Sequence, residues 1–192
     1  MEQIIRVYKS AFAETPWDEY RKCSQCGANY GIEEAKQVYA AIETAICKKC
    51  GRGLWRNFCE FWSAEEIITD LESALKKESP VALVAEAGPI AGFTWGYNLP
   101  QGQFPFLEGK IAQPTIYMGE MAVGGNARKK GIGFSLGKKF LDEIAARGFR
   151  FSVVRTDINN PASMGLFEKL GYRKTGIFDP DYPSRVYMEA RL

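Results

Sequence analysis

The fold of this chain is decided by residues 115–137, which read TIYMGEMAVGGNARKKGIGFSLG. Residues 116–123 alternate in character and are rich in β-branched and large apolar side chains, which indicates a β-strand. From Ile132 onwards the apolar residues recur with helical spacing, through Phe134, Leu136, Phe140, Leu141 and Ile144. Between strand and helix lies a turn, residues 128–133, that contains three cations and two glycines.

The 128–133 turn has the chemistry of a diphosphate-binding site. The first N–H groups of a helix have no partner within it, the macrodipole favours an anion there, and glycines let phosphates approach the backbone closely. Spacing excludes two other phosphate loops. A P-loop needs four residues between its first glycine and Gly-Lys-Ser/Thr, whereas Gly133 to Gly137 encloses three and Gly131 to Gly137 encloses five. The Gly-x-Gly-x-x-Gly spacing of dinucleotide-binding folds is missing as well.

A second motif follows at residues 159–172, which read NNPASMGLFEKLGY. Pro161 suits the first position of a helix, and Gly171 suits the position after its last residue. A strand followed by Arg-x-x-Gly-x-Gly, and then an Asn-initiated helix ending in Glu-Lys-Leu-Gly-Tyr, resembles the two signatures of the GCN5-related N-acetyltransferases, the GNAT family. The resemblance covers residues 1–20 and 58–192, and residues 115–178 carry it best.

The resemblance implies an α/β fold of the GNAT type, with a mixed, mostly antiparallel central sheet flanked by helices, in one acetyltransferase domain of residues 1–192. It also implies acetyl-CoA as cosubstrate. The pantetheine arm would pair with the backbone of Met121, Ala122 and Val123. The diphosphate would bind the turn, namely Arg128, Lys129, Lys130, Gly131, Ile132 and Gly133. Asn160 would contact the pantetheine arm, act as the N-cap of the following helix, or do both.

Two matched cysteine motifs lie outside the resemblance. Cys23-Ser24-Gln25-Cys26-Gly27 and Cys47-Lys48-Lys49-Cys50-Gly51 each have the spacing of a zinc knuckle. We therefore predict that residues 21–57 form an inserted zinc-binding subdomain, with disulfides as the alternative. The four ligands would be Cys23, Cys26, Cys47 and Cys50, which close the coordination sphere and make the metal structural. The fifth cysteine, Cys59, is predicted to be packed rather than reactive.

Composition limits the remaining classes. The 192 residues carry a formal charge of +2 with 46% hydrophobic residues, which is ordinary for a globular protein and does not indicate nucleic acid or membrane as the main partner. No secretory signal or long apolar run is present, so we expect a cytoplasmic protein with reduced thiols. The chain has no histidine, so any general base must be a carboxylate, an amine, a tyrosine or a water relay.

Glu120 is the candidate general base. An alkylammonium acceptor must lose a proton before it can attack a thioester, and a carboxylate beside the pocket can hold the cation and accept that proton. Glu120 lies on the signature strand, where relatives that use a glutamate base often carry it. The competing interpretation is a strand glutamate in a salt bridge.

The general acid of many relatives has no counterpart at its usual place. Their tyrosine, seven residues after the Asn, is Phe167 here, which cannot donate a proton. Either Tyr172 or Tyr182 substitutes, or the thiolate leaves without a protein acid.

The sequence therefore predicts an N-acetyltransferase that moves an acetyl group from acetyl-CoA to a primary amine by direct attack. The acceptor is left open between a small molecule and a protein, and so is a homodimer. The alternative is a catalytically silent acyl-CoA sensor, or an adaptor that recruits a partner through the zinc module. The long segment 98–114 contains Phe104 and Phe106, which either line the acceptor pocket or anchor the segment.

Overall fold

Residues 1–68 form the first of two units in the computed structural model, which describes all 192 residues. Its helices are α1 (Glu2–Phe12) and α2 (Ile32–Ala40). Its small antiparallel sheet contains β1 (Arg21–Cys23), β2 (Asn29–Tyr30) and β3 (Phe58–Glu60), with β1 in the middle. A compact core forms around two of the cysteines and consists of Cys23, Ala28, Tyr30, Cys47 and Leu54. Its small apolar content indicates that this segment needs further support to stay folded.

The boundary between the two units falls within α3 (Ala64–Leu75). Its N-terminus is a capping box, as Ser63 and Glu66 predict from the sequence. Ser63 Oγ accepts the N–H of Glu66 at 3.1 Å, and Glu66 Oε2 accepts the N–H of Ser63 at 2.7 Å. The hydrogen bond from the Ser63 backbone lowers the pKa of Glu66.

Residues 69–192 form the second unit around a six-stranded sheet. Its strands are β4 (Val81–Glu86), β5 (Ile90–Asn98), β6 (Ile116–Val123), β7 (Phe151–Asp157), β8 (Arg173–Phe178) and β9 (Arg185–Arg191). The spatial order is β4-β5-β6-β7-β9-β8, and only β6 and β7 are parallel. Two helices join these strands, α4 (Ile132–Ala146) after β6 and α5 (Pro161–Lys169) after β7. The predicted boundaries, one domain over 1–192 with 21–57 inserted, stay a prediction.

The two helices α4 and α5 cover one face of the sheet, which we call the helix face. Buried residues of both helices share one core with side chains of the strands, including Phe140, Met164, Ile116, Met118 and Val154. This shared apolar burial is the main source of stability for the second unit.

The opposite face is aromatic, and we call it the aromatic face. Phe93 and Trp95 stack with ring centroids 4.7 Å apart, and Tyr97 meets Tyr117 edge-on at 5.9 Å. The 98–114 segment crosses this face. Phe104 contacts the rings of Tyr117 and Tyr187, and Phe106 also contacts Tyr187. These contacts show that Phe104 and Phe106 anchor the segment.

A β-bulge in β6 changes the alternation of its side chains. Glu120 pairs with Trp95 and Met118 pairs with Gly96, so Gly119 is an extra residue on β6. Ile116 and Met118 lie on the helix face before the bulge, and Met121 packs on that face after it. If Gly119 were paired regularly, Glu120 would follow Met118 onto the helix face. Because Gly119 is an extra residue of the bulge, Glu120 shares the aromatic face with its partner Trp95.

Gly96 allows the close approach between β5, β6 and α4. A Cβ atom at this position would collide with the carbonyl oxygen of Tyr117 and would stand 2.8 Å from Cζ of Phe140. The first of these atoms is backbone and cannot move aside easily.

We therefore expect Gly96→Ala to destabilise the second unit by about 1–3 kcal/mol, the usual effect of overpacking a core. The matched control is Gly165→Ala in α5, where an added Cβ would meet nothing within 4 Å. That change should be neutral or stabilise by up to about 1 kcal/mol, since alanine is the better helix former. Calorimetric unfolding measures both, and equal effects of the two substitutions would contradict the packing argument.

Candidate functional site

The 128–133 turn leads directly into α4 and exposes the N-terminus of that helix. Gly131 is the N-cap residue, and its φ of 80° lies in the left-handed region that favours glycine. The first helical hydrogen bond runs from the N–H of Ser135 to the carbonyl of Gly131. The N–H groups of Ile132, Gly133 and Phe134 therefore precede the helical bonding pattern and face outward from the helix end.

The turn is fastened to the end of β6 by one side chain. Nε of Arg128 donates a hydrogen bond to the carbonyl oxygen of Val123 at 3.2 Å. Val123 also lies close to the start of α4, because its Cγ2 would be 3.7 Å from a Cβ at Gly133. The predicted diphosphate residues and the end of the signature strand are therefore adjacent.

An opening between β6 and β7 begins beside this turn. The parallel ladder pairs Ile116, Tyr117 and Met118 with residues 152–154 and ends there, although β6 continues to Val123 and β7 to Asp157. On its other edge β6 stays paired with β5 as far as Val123. We call the space between the diverging ends the strand opening.

Backbone direction shows which residues of β6 face the strand opening. The N–H of Gly124 donates a hydrogen bond to the carbonyl of Ala91, and the carbonyl of Glu120 accepts one from Thr94 Oγ1. The backbone N–H and C=O groups of residues 120, 122 and 124 therefore point towards β5. Backbone groups alternate between the two edges of a strand. Those of Met121 and Val123 therefore face the opening, whereas those of Ala122 face β5.

Asn160 follows β7 and caps α5. Its Oδ1 accepts the N–H of Ser163 at 3.0 Å, and Pro161 occupies the first helical position. The N-cap role is confirmed. Contact between Asn160 and a pantetheine arm stays a prediction.

Glu120 lies at the edge of the strand opening, two residues after Met118, the last residue of β6 that pairs with β7. Its side chain is partly exposed and acts electrostatically on Tyr117 of the same strand. Burial raises the pKa of Tyr117, the guanidinium of Arg155 opposes that shift, and the charge of Glu120 adds to it. A carboxylate and a guanidinium therefore both lie near this phenol.

The tyrosine proposed from the sequence as a substitute acid is in the wrong place. Tyr172 is fully buried in the core of the helix face, packs edge-on against Phe167, and shares a hydrogen bond of 2.7 Å with Ser152 Oγ. Burial raises its pKa further. Tyr172 therefore cannot reach a leaving group. Tyr182 is 52% exposed in the turn between β8 and β9, where Arg185 lies over its ring.

The four knuckle cysteines come together in the first unit. Their Sγ atoms all lie within 4.8 Å of one another, with 3.9 Å between Cys23 and Cys50 and 3.6 Å between Cys26 and Cys47. None of the cysteines forms a disulfide. Four sulfurs around one zinc at about 2.3 Å would be about 3.8 Å apart, so the cluster fits a tetrahedral ion.

The surroundings of Cys47 favour its thiolate form. Burial alone would raise its pKa, but hydrogen bonds from the Tyr30 hydroxyl and from the backbone at Cys50 and Lys49 outweigh that effect and lower it. The pKa of Cys26 is shifted the other way: a backbone hydrogen bond at Ala28 lowers it, but burial and hydrogen bonds with the other three cysteines raise it. Thiolate is the form that binds a metal. The donor set and its geometry could therefore hold a metal ion.

The prediction that Cys59 is packed was wrong. Cys59 is exposed, and its Sγ donates a weak hydrogen bond to the carbonyl of Lys22 at 3.7 Å. Strand β3 is an edge strand, and Phe58 rather than Cys59 packs onto the core through Tyr30.

Comparison with known proteins places this geometry in a family. The family model described as "Acetyltransferase (GNAT) family" matches residues 47–172 of the chain, which include the signature strand, the turn and α5. The chain belongs to this family. The predicted fold class, a mostly antiparallel mixed sheet flanked by helices, is confirmed with it.

Solved structures of the GNAT fold resemble this chain at low sequence identity. The ribosomal-protein-alanine N-acetyltransferase from Brucella melitensis is 20% identical with a TM-score of 0.55, over 69% of this chain and 80% of that one. An aminoglycoside 6'-N-acetyltransferase solved with coenzyme A is 16% identical with a TM-score of 0.53, over 68% and 81%. At these identities the likeness supports the fold alone.

A curated relative matches over a shorter stretch. "Probable N-acetyltransferase 14" of Xenopus tropicalis is 37% identical over 70 residues, 36% of this chain. The match spans about a third of that relative's length, 34%. Separately, none of the helices here is both long enough and apolar enough to cross a membrane.

Proposed function

We propose that this GNAT-family chain transfers an acetyl group from acetyl-CoA to a primary amine. One observation carries the proposal: the strand opening of β6 and β7 lies directly beside an exposed helix N-terminus with three cations. An extended polar chain with a diphosphate at one end has the shape and charge to fill both. The complex of the aminoglycoside enzyme with coenzyme A, on the same fold, supports this choice of ligand.

Different residues would bind the diphosphate and the pantetheine arm of acetyl-CoA. The N–H groups of Gly131, Ile132 and Gly133 would bind the diphosphate, with Arg128, Lys129 and Lys130 supplying positive charge. The backbone of Met121 and Val123, which faces the opening, would pair with the amides of the pantetheine arm, beside Ala122 and opposite Asn160. In this role Arg128 would exchange its bond to Val123 for one to the ligand.

Glu120 is proposed as the general base. It would hold the acceptor as an ammonium ion, then take its proton, directly or through one water, as the nitrogen attacks the thioester carbonyl. A C–N bond forms, the C–S bond breaks, and a backbone N–H of β6 at the opening, that of Met121 or Val123, would stabilise the negative charge that develops on the oxygen. The thiolate would leave without a protein acid, or with Tyr182 as its proton donor.

The alternative of a silent acyl-CoA sensor is not favoured. A sensor needs the diphosphate site and the strand opening, but it has no use for a partly exposed carboxylate beside the thioester position. Family membership favours the enzyme as well.

We also propose that Cys23, Cys26, Cys47 and Cys50 bind one structural zinc ion. The sulfur spacing supports it, and the ion would have no open coordination position and therefore no part in acetyl transfer. Its role would be to hold residues 21–57, whose apolar core is small, in one conformation.

Protein purified without added metal should contain about one zinc per chain by elemental analysis. Cys47→Ser should lose the metal, whereas Cys59→Ser, the matched control at the fifth cysteine, should keep it. Chelation should speed hydrogen exchange first within residues 21–57. Less than about 0.2 equivalents of zinc in folded wild type would contradict the site.

Gly131→Ala should weaken binding of CoA about five- to thirtyfold, because a side chain in the left-handed region costs roughly 1–2 kcal/mol and displaces the N–H groups of the turn. Gly125→Ala in the preceding turn is the control, since an added Cβ there would meet nothing within 4 Å and no left-handed φ is required. Titration calorimetry measures both. Folded wild type that binds no CoA would refute the assignment of the turn.

Glu120→Gln should lower turnover by roughly 10²–10⁴ and leave the affinity for acetyl-CoA nearly unchanged, because the cofactor is held by backbone and by the turn. The loss of rate towards low pH that comes from protonating a base should disappear. Glu86→Gln, at an exposed glutamate of β4, should keep wild-type rates and pH dependence. If Glu120→Gln kept the wild-type turnover and pH dependence, Glu120 would not be the base and its role would be structural.

A further inference from the structure

A polar cluster lies on the aromatic face just past the last parallel pair of β6 and β7. Arg155 of β7 follows Val154, the end of that ladder, and stands directly opposite Tyr187 of β9. Its Nη1 donates to Asp179 Oδ2 at 2.6 Å. The Arg155 side chain retains 28% of its exposure, whereas Asp179 and Tyr187 are buried. The guanidinium therefore forms the accessible part of this cluster.

The cluster of Arg155, Asp179 and Tyr187 has more hydrogen-bond donors than acceptors. Both carboxylate oxygens of Asp179 already accept hydrogen bonds, because Oδ2 accepts from Arg155 and Oδ1 accepts from the N–H groups of Asp181 and Tyr182. A guanidinium has five N–H donors, and the bond to Asp179 uses one. The hydroxyl of Tyr187 is fully buried and has no hydrogen-bond partner in the protein. A buried polar atom without a partner is costly, and its presence beside a guanidinium indicates a ligand that accepts hydrogen bonds.

The phenols of the cluster stay protonated at neutral pH. Burial raises the pKa of Tyr187 to about 12, although the nearby Arg155 guanidinium opposes the shift. Burial likewise raises the pKa of Tyr117. Both phenols therefore carry a proton at neutral pH, and that of Tyr187 has no acceptor in the protein.

Glu120 lies close to this cluster across the strand opening. The charges of Glu120 and Arg155 both act on Tyr117, with opposite signs. Neighbouring strands are about 4.8 Å apart, and β6 and β7 begin to separate at these residues. A group that can bind a cation and a group that can bind an anion therefore lie on adjacent strands, just beyond the last parallel pair.

We propose that the acetyl acceptor is an amino acid, or a closely related small amine that carries a carboxylate. Arg155 and Tyr187 bind the carboxylate, while Glu120 receives the amine; the proposal rests on the transferase function above. Arg155 is then the residue that determines acceptor specificity, and Asp179 orients its guanidinium. An amine without a carboxylate would leave the donors of Arg155 and Tyr187 unpaired.

The test compares each of the common amino acids with its amide and with its decarboxylated amine, following CoA release from acetyl-CoA. For the best acceptor, kcat/KM for the acid should exceed that for the amide by about tenfold or more, as expected for a charge-assisted contact. Arg155→Gln should remove that preference, mainly by raising KM for the acid. Tyr187→Phe should reduce the preference severalfold, and Arg173→Gln, at an exposed arginine of β8, should preserve it.

A purely structural role for Arg155 predicts a different pattern. Asp179→Asn removes the ion pair but keeps the guanidinium, so the carboxylate preference should survive in our assignment. If Asp179→Asn and Arg155→Gln abolish it equally, Arg155 only fastens the turn between β8 and β9, and the proposal is overturned.

Two further outcomes separate this inference from the proposed function. Equal rates for acid, amide and amine, or acetylation of peptides alone by protein that binds CoA, would overturn the acceptor assignment and leave the transferase intact. Protein that binds no acetyl-CoA would remove the transferase itself.

Discussion

The candidate site depends on the point at which the parallel ladder between β6 and β7 ends. Three residue pairs hold the strands together, and beyond Met118 each strand is held by its outer neighbour instead, β6 by β5 and β7 by β9. The opening is therefore braced on both sides by antiparallel ladders. A parallel pair that continued to Val123 would satisfy the backbone of Met121 internally and leave no edge for a ligand.

The sheet assigns different tasks to its two faces. The helix face carries the apolar core and places the N-terminus of α4 beside the end of β6, which suits anion binding. The aromatic face carries Glu120, Arg155 and the buried phenols. The strand opening lies between the two sides, so a thioester that enters from the helix end of the opening would meet an acceptor that binds on the other face.

Local signals in the sequence were sufficient for much of this architecture. The capping box of Ser63 and Glu66, the N-cap of Asn160 and the strand–turn–helix of residues 115–137 depend on neighbours within a few residues, and each forms as predicted. The cysteine cluster was predictable because its spacing is itself the signal.

What the sequence could not reveal depends on partners far along the chain. Arg155 and Tyr187 stand opposite each other only because β9 pairs with β7, and neither residue belongs to a motif. Tyr172 was misread because its partner, Ser152, lies on another strand and draws the hydroxyl into the core. Cys59 was misread because its exposure follows from β3 being an edge strand, which the apolar residues around it do not indicate.

The extra residue Gly119 has a consequence for how this protein can evolve. Substitutions along β6 change one side chain at a time. Deleting Gly119 would make the pairing of β5 and β6 regular and keep Glu120 on its face, but it would remove the local bend and twist that a bulge gives to β6 where it leaves β7. Lineages that diverge in acceptor should therefore differ by substitution around this bulge, and its length should drift far less than that of the 98–114 segment.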